Sequence, residues 1–446
     1  MLSSIFKSLG VAAVVASLSG GAAAAQGAPL SAAESDPNIM GWMQGTPPPA
    51  GKLITAASPD FFAFPKLRWT VCNVRNLFGT VPTSRGLEPA LPLDYVAPAD
   101  FADMRQEIDA LTFRPIGGDT TMTFKEALGA NYTDGMLIIH EGKVVYERYL
   151  GCLADDGRHA AMSMTKSTVG LLAEILIAEG RLDETALVTD YVSELAGSGF
   201  DTATVRQVMD MTTGIKFDEN YDNPNADIWA YSASGTSAAG APGYEGPVGY
   251  MQYLSLVEQV AEHDVAFSYK TVNTDVLAWI VARVTGMPYN EALSEMLWSK
   301  MGAEQNAYFS ADVTGTAFAG GGMSASLRDM GRFGLLLLNE GVINNQRIFP
   351  AAAAKSIAGG GDPEKFAPAG YKTLQGGSYR SMFWAFHNKN EAYAARGVHG
   401  QTVYIDPAAE MVLVRFSSFP QPKNAVIDPT SLPAYQAVAD YLVGRR

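Results

Sequence analysis

Two runs of β-forming residues, 136–139 and 144–149, flank His140-Glu141-Gly142-Lys143, and a short glycine-containing connection between such runs predicts a β-hairpin. Ser163-Met164-Thr165-Lys166 follows, heading the apolar run 167–177, which reads as a buried helix. The middle of the chain reads as mostly helical, over 204–211, 249–262, 274–285 and 289–301. Short segments of β-formers separated by turn residues return at 382–386, 393–395, 402–405 and 411–416, and a final helix is predicted over 433–443. Strands at both ends of this order and helices between them imply an α/β (α+β) fold, an antiparallel sheet flanked by helices with an inserted, mostly helical subdomain at about 180–320.

The 446 residues, nearly half of them hydrophobic, can bury a large core, and the formal net charge of −14 argues against nucleic acid and anionic membrane surfaces as partners. Residues 1–25 carry one basic residue, Lys7, then a short apolar stretch and small residues before Gln26, the pattern of a cleaved secretory signal. The expectation is therefore a periplasmic or extracellular protein with no stable membrane association. Residues 26–60, rich in Ala, Gly and Pro, read as an N-terminal arm, and 61–446 as the main domain. Cys72 and Cys152, the only cysteines, are free to pair in an oxidising compartment or to remain separate buried thiols. No segment specifies an oligomeric state.

Chemistry concentrates at Ser163. On a helix, residues three apart share a face, so the Ser163 hydroxyl and the Lys166 amine would meet across one turn. A lysine desolvated by apolar neighbours loses its proton more readily and can activate a serine, while unpaired N–H groups at the helix start favour a developing oxyanion. Tyr269, in Phe267-Ser268-Tyr269-Lys270-Thr271-Val272-Asn273-Thr274-Asp275, is the candidate second acid/base, its phenol expected to ionise more easily beside a lysinium. His140 and His159 lie near the serine in sequence, but a Gly-x-Ser-x-Gly elbow is absent, which disfavours a Ser-His-Asp hydrolase. Asp222, Asp227 and Glu219 read as solvated loop charges, one of which could meet an amine end of a substrate. With no His-Glu-x-x-His, paired-cysteine ligand set or Gly-rich phosphate loop, neither metal nor cofactor is expected.

Ser163-Met-Thr-Lys166, Tyr269-Lys-Thr-Val-Asn-Thr-Asp and Arg396-Gly397-Val398-His399-Gly400-Gln401, in this order, resemble the serine β-lactamase and penicillin-binding-protein superfamily. The likeness is nearest to the branch of 6-aminohexanoate-dimer hydrolase and class C-like carboxylesterases. Asp210-Met-Thr-Thr-Gly214, Tyr221-Asp-Asn-Pro224 and Gly320-Gly-Gly-Met-Ser324 extend it, from roughly Phe61 to the C-terminus. The resemblance implies a β-lactamase/transpeptidase-like fold with Ser163 as acylated nucleophile, Lys166 as its activator and Tyr269 as general acid/base. It also implies an oxyanion hole from the backbone N–H of Ser163 and of Val398, with Gly397 beside the substrate and Tyr221 on the substrate amide. A second register puts His399 where the superfamily carries the lysine of Lys-Thr-Gly. In the first register that lysine has no counterpart, and Asn273 falls two positions later than in Tyr-x-Asn. These departures favour a small ester or linear-amide substrate over a β-lactam. The alternatives are a D-amino-acid or cell-wall peptidase, a β-lactamase, and a binding protein that has lost its chemistry.

Overall fold

The 136–149 hairpin lies inside an eight-stranded sheet, whose alternate residues face one or the other of two helical layers. The computed structural model describes residues 29–237 and 239–445, so the segment read as a signal peptide falls outside them. The sheet strands are β1 (Asp94–Tyr95), β2 (Thr133–His140), β3 (Lys143–Tyr149), β4 (Ser378–Arg380), β5 (Phe383–Ala385), β6 (Tyr393–Gly397), β7 (Gln401–Asp406) and β8 (Met411–Ser417). Their order is β4-β5-β6-β7-β8-β2-β3-β1, antiparallel except at β1 against β3, and the two halves of the chain meet where β8 pairs with β2. Sequence reading found the strands of this sheet except β1 and β4.

Five helices frame the sheet and the serine: α1 (Pro98–Ala110), α2 (Met164–Ala178), α3 (Val272–Thr285), α4 (Leu327–Leu338) and α5 (Asp428–Gly444). Side chains alternate across a strand, so Met136, Ile138, Val145, Tyr404 and Leu413 pack with α1 and α5. Their neighbours Leu137, Ile139, Val144, Val403 and Val412 pack with α2 and α4. Burial on both faces explains why these strands read as continuous apolar runs. A smaller antiparallel sheet joins Thr80–Thr83, Ala307–Ser310, Met323–Ala325 and His159–Ala160, anchoring the chain just ahead of Ser163.

Three predicted helices change shape, the 289–301 helix being α-helical over Tyr289–Leu293 and π-helical over Ser294–Trp298. The 249–262 helix stops at Leu254, and the chain then runs beside residues 214–216, with Val260 N–H donating to Gly214 O at 2.9 Å and Lys216 N–H to Glu258 O at 2.8 Å. A Cβ on Gly214 would lie 2.2 Å from the Ala261 carbonyl, so tertiary backbone pairing overrides local helical pattern here. The last helix begins at Asp428 and runs through Pro433. Proline removes the N–H that would bond the carbonyl four residues back, and that carbonyl, Pro429 O, instead accepts Ile116 N–H at 2.9 Å.

The arm is tied down by Arg68, which is buried and bonds Ala32 O, Ser35 Oγ at 3.0 Å, Ser418 Oγ at 3.1 Å and Asp134 Oδ1 at 3.2 Å. Tyr132 OH also donates to Leu30 O at 2.6 Å. Trp42, Ile54, Phe61 and Leu77 form a small core of their own, so the aromatic-rich segment after the arm is an ordered extension. Cys72 and Cys152 are bonded as a disulfide across 80 positions of sequence. By the loop-closure relation, replacing both with serine should cost about 4.5 kcal/mol of unfolding free energy, read as a lower denaturation midpoint. A midpoint equal to that of the wild type would show that the bridge does not restrain the unfolded chain.

Candidate active site

Ser163 stands at the N-cap of α2 with near-helical angles, φ −68° and ψ −6°, directly after Met162 at φ +48°. A left-handed methionine is a strained conformation, and Thr165 holds it by donating from its hydroxyl to Met162 O at 2.6 Å. Residues Met164 to Leu176 of α2 are all buried, which accounts for a helix apolar on every side and fixes the serine on a rigid element. Glycine at 170 is required by packing, because a Cβ there would lie 1.9 Å from Ser381 O.

The predicted meeting across one turn is present: Lys166 Nζ lies 3.2 Å from Ser163 Oγ. The amine also donates to the Gly320 carbonyl, and the side chain is 1 % exposed. Burial lowers the Lys166 pKa from 10.5 to about 8, against the opposing fields of Glu219 and Asp275. Tyr269, half-buried just before α3, stacks on Trp384 with ring centroids 5.6 Å apart, and its own centroid lies 5.2 Å from Lys166 Nζ. Its phenol does not ionise more easily, contrary to the sequence expectation. Burial and then the negative charge of Glu219 hold it well above the usual tyrosine value, outweighing hydrogen bonding with Ser163 and the charge of Arg396. Tyr269 therefore keeps its proton at neutral pH.

Gly397 ends β6 against the serine. A Cβ at this position would lie 2.7 Å from Ala161 O and 3.0 Å from Ser163 N, so only glycine permits this approach, and Val398 follows directly. Tyr221 donates its hydroxyl to Glu219 Oε1 at 2.9 Å. Glu219 is not a solvated loop charge: its oxygens also accept Thr271 N–H at 2.6 Å and Thr271 Oγ1 at 2.7 Å, at the start of α3. Asp222 is an exposed charge paired with Lys423, while Asp227 caps a turn by accepting Asp218 N–H at 2.8 Å. His399 is buried with φ +61° and its Nδ1 is 2.7 Å from Phe419 O; burial lowers its pKa to about 4. Its hydrogen bonds go to the 419–422 segment, and none joins it to Ser163, Lys166 or Tyr269. His140 bonds Ala409 O at the hairpin turn, and His159 is buried between Phe416 and Asp134.

Gly320 and Asp275 thus join the cluster without a role assigned from the sequence, and Glu219, read there as a loop charge that could meet a substrate amine, instead holds Thr271 and Tyr221. Gly320 heads a Gly-Gly-Gly run and Glu219 lies two residues before Tyr221, but neither proximity reveals a side-chain bond.

A serine at a helix start, an amine against its hydroxyl and a phenol on the facing segment, set between an antiparallel sheet and helices, form a candidate site in a fold of the β-lactamase type. The chain belongs to the β-lactamase family, whose model matches residues 123–435. It is 34% identical over 359 residues to 6-aminohexanoate-dimer hydrolase from Paenarthrobacter ureafaciens, covering 80% of this chain and 87% of that protein. A solved Bacillus anthracis protein provisionally named for the same hydrolase is 30% identical with a TM-score of 0.75, over 86% of this chain and 96% of that one. EstCE1, a hydrolase with promiscuous acyltransferase activity, shares the fold at a TM-score of 0.56 and 15% identity, over 76% of this chain and 99% of EstCE1. The protein is accordingly a β-lactamase-family hydrolase related to 6-aminohexanoate-dimer hydrolase.

Proposed function

We propose that the protein hydrolyses linear amides or carboxylic esters through an acyl-enzyme on Ser163. The observation that carries this reading is the buried Lys166 amine, 3.2 Å from the Ser163 hydroxyl and biased toward its neutral form. In the proposed cycle neutral Lys166 takes the proton as Ser163 Oγ bonds to the carbonyl carbon, and the backbone N–H groups of Ser163 and Val398 receive the oxyanion. As the carbonyl re-forms, the bond to the leaving alcohol or amine breaks. Tyr269 protonates that group, and the Lys166 ammonium returns a proton to Tyr269. Water then attacks the acyl carbon with the same groups acting in reverse, which releases the acid and frees the serine.

Relatedness to a linear-amide hydrolase supports the substrate class, with Tyr221 as a contact for the amide. Arg396, the cation on β6, is buried and paired with Asp428, so it is not free to meet the carboxylate of a β-lactam. The Cys72–Cys152 bridge suits an oxidising compartment and supports reading residues 1–25 as an export signal.

Intact-mass analysis after treatment with a fluorophosphonate probe tests the nucleophile. One adduct is expected on the wild type and none on Ser163→Ala. A folded wild type that stays unlabelled and leaves short-chain esters and 6-aminohexanoate-type amides intact would favour a binding protein.

A further inference from the structure

Asp275 lies in the first turn of α3, is 3 % exposed, and has no part in the chemistry described above. Its Oδ1 accepts the Gly320 N–H at 3.1 Å, and the carbonyl of that same residue accepts Lys166 Nζ. Its Oδ2 is buried with no hydrogen-bond partner of good geometry, beside the buried Tyr231 hydroxyl. A Cβ on Gly320 would sit 2.4 Å from Thr271 Cγ2 and 2.7 Å from Asp275 Oδ2, so residue 320 is wedged against α3 with no room to shift toward it. Thr271, the other side of the wedge, is the residue that Glu219 holds.

We propose that Asp275 is a positioning residue for Lys166, gripping Gly320 from behind so that its carbonyl fixes the amine against Ser163, and placing a carboxylate near that amine. This rests on the serine-hydrolase reading above. A buried carboxylate is costly to keep, and a neutral side chain of similar size would serve packing alone. Its charge acts on Lys166, where Asp275 opposes the loss of the proton. Burial raises the Asp275 pKa to about 7, so carboxyl and amine change charge in adjacent ranges of pH. The other ionisable groups around them are Tyr231, Tyr250, Tyr269 and Tyr289, all held as phenols by burial, with Asp312 acting on the first two and Glu219 on Lys166 and Tyr269. Arg283, further along α3, is exposed and paired with Glu194.

The test follows Lys166 directly, by NMR of lysine labelled with 13C at Cε, assigned with Lys166→Arg, across a pH titration of wild type, Asp275→Asn and Asp275→Ala. Fluorophosphonate acylation rates are measured on the same samples. In Asp275→Asn the amide oxygen can still accept from Gly320, so only the charge is lost, and the Lys166 midpoint and the acylation profile should both move to lower pH. In Asp275→Ala the grip is lost as well, and the plateau rate should fall by roughly tenfold to a hundredfold, with Asn restoring much of it. Unmoved midpoints in folded Asp275→Asn, or equal plateaus in wild type and Asp275→Ala, would overturn the proposal. Failure of the wild type to react at any pH would instead count against the hydrolase reading, while the lysine titration would still decide the role of Asp275.

Discussion

Lys166→Met should lower kcat/KM by about four orders of magnitude or more, because a unit of nucleophile and base loses nearly all its advantage when one member is removed. Methionine keeps the length and apolar packing of the side chain, so the loss isolates the amine. The wild-type rate should rise with pH through a midpoint near 8, where the buried amine gives up its proton, and stay level above it, since Tyr269 keeps its own. Stability supplies a second reading of the same group. The unfolded lysine holds its proton to 10.5 and the folded one only to about 8, so between these values the unfolded chain binds more protons. Unfolding free energy should therefore increase with pH across that window and be level with respect to this group below it. Lys166→Met should lack that slope. A rate that falls on raising the pH through 8, or a Met variant within tenfold of the wild type, would exclude Lys166 as the base.

Tyr269→Phe should cost 10²–10⁴-fold in kcat on alkyl amides and alkyl esters, the usual span for a lost general acid. Phenylalanine preserves the stacking on Trp384, so the stability should change little. The informative comparison is with a nitrophenyl ester, whose leaving group departs without a proton. The loss there should be much smaller. An equal loss for both leaving groups would mean that Tyr269 orders the site and does not donate a proton to the departing group. In the proposed cycle the acid role falls to Tyr269 and the base role to Lys166 because burial raises the one group's pKa and lowers the other's to about 8.

Most of the β-sheet was legible because its strands are runs of β-formers bounded by turn residues, and α2 because it is apolar on every side. The Ser163–Lys166 contact was legible too, since it depends only on helical spacing. What escaped was set by partners distant in sequence. Residues 257–261 follow a helical pattern yet pair with 214–216, and α5 passes through Pro433 because Ile116 takes the freed carbonyl. Glu219 reads as one acidic residue in a polar loop, and only the fold places Thr271 and Tyr221 on its oxygens. The ionisation of Tyr269 was misjudged for a related reason. Sequence places a lysine near the phenol but does not show how deeply burial and Glu219 act on it.

The pairing of β8 with β2 makes the order of synthesis matter. A ribosome that has reached residue 377 has already made Ser163, Lys166, Glu219, Tyr269 and Asp275. The five strands from β4 to β8, among them the one that brings Gly397 against the serine, are still to come. The nascent chain therefore carries its reactive groups without the surface that would align a substrate on them. A chain truncated before β4 is expected to be inactive, which a ribosome-bound or truncated 1–377 fragment assayed with the fluorophosphonate probe would check.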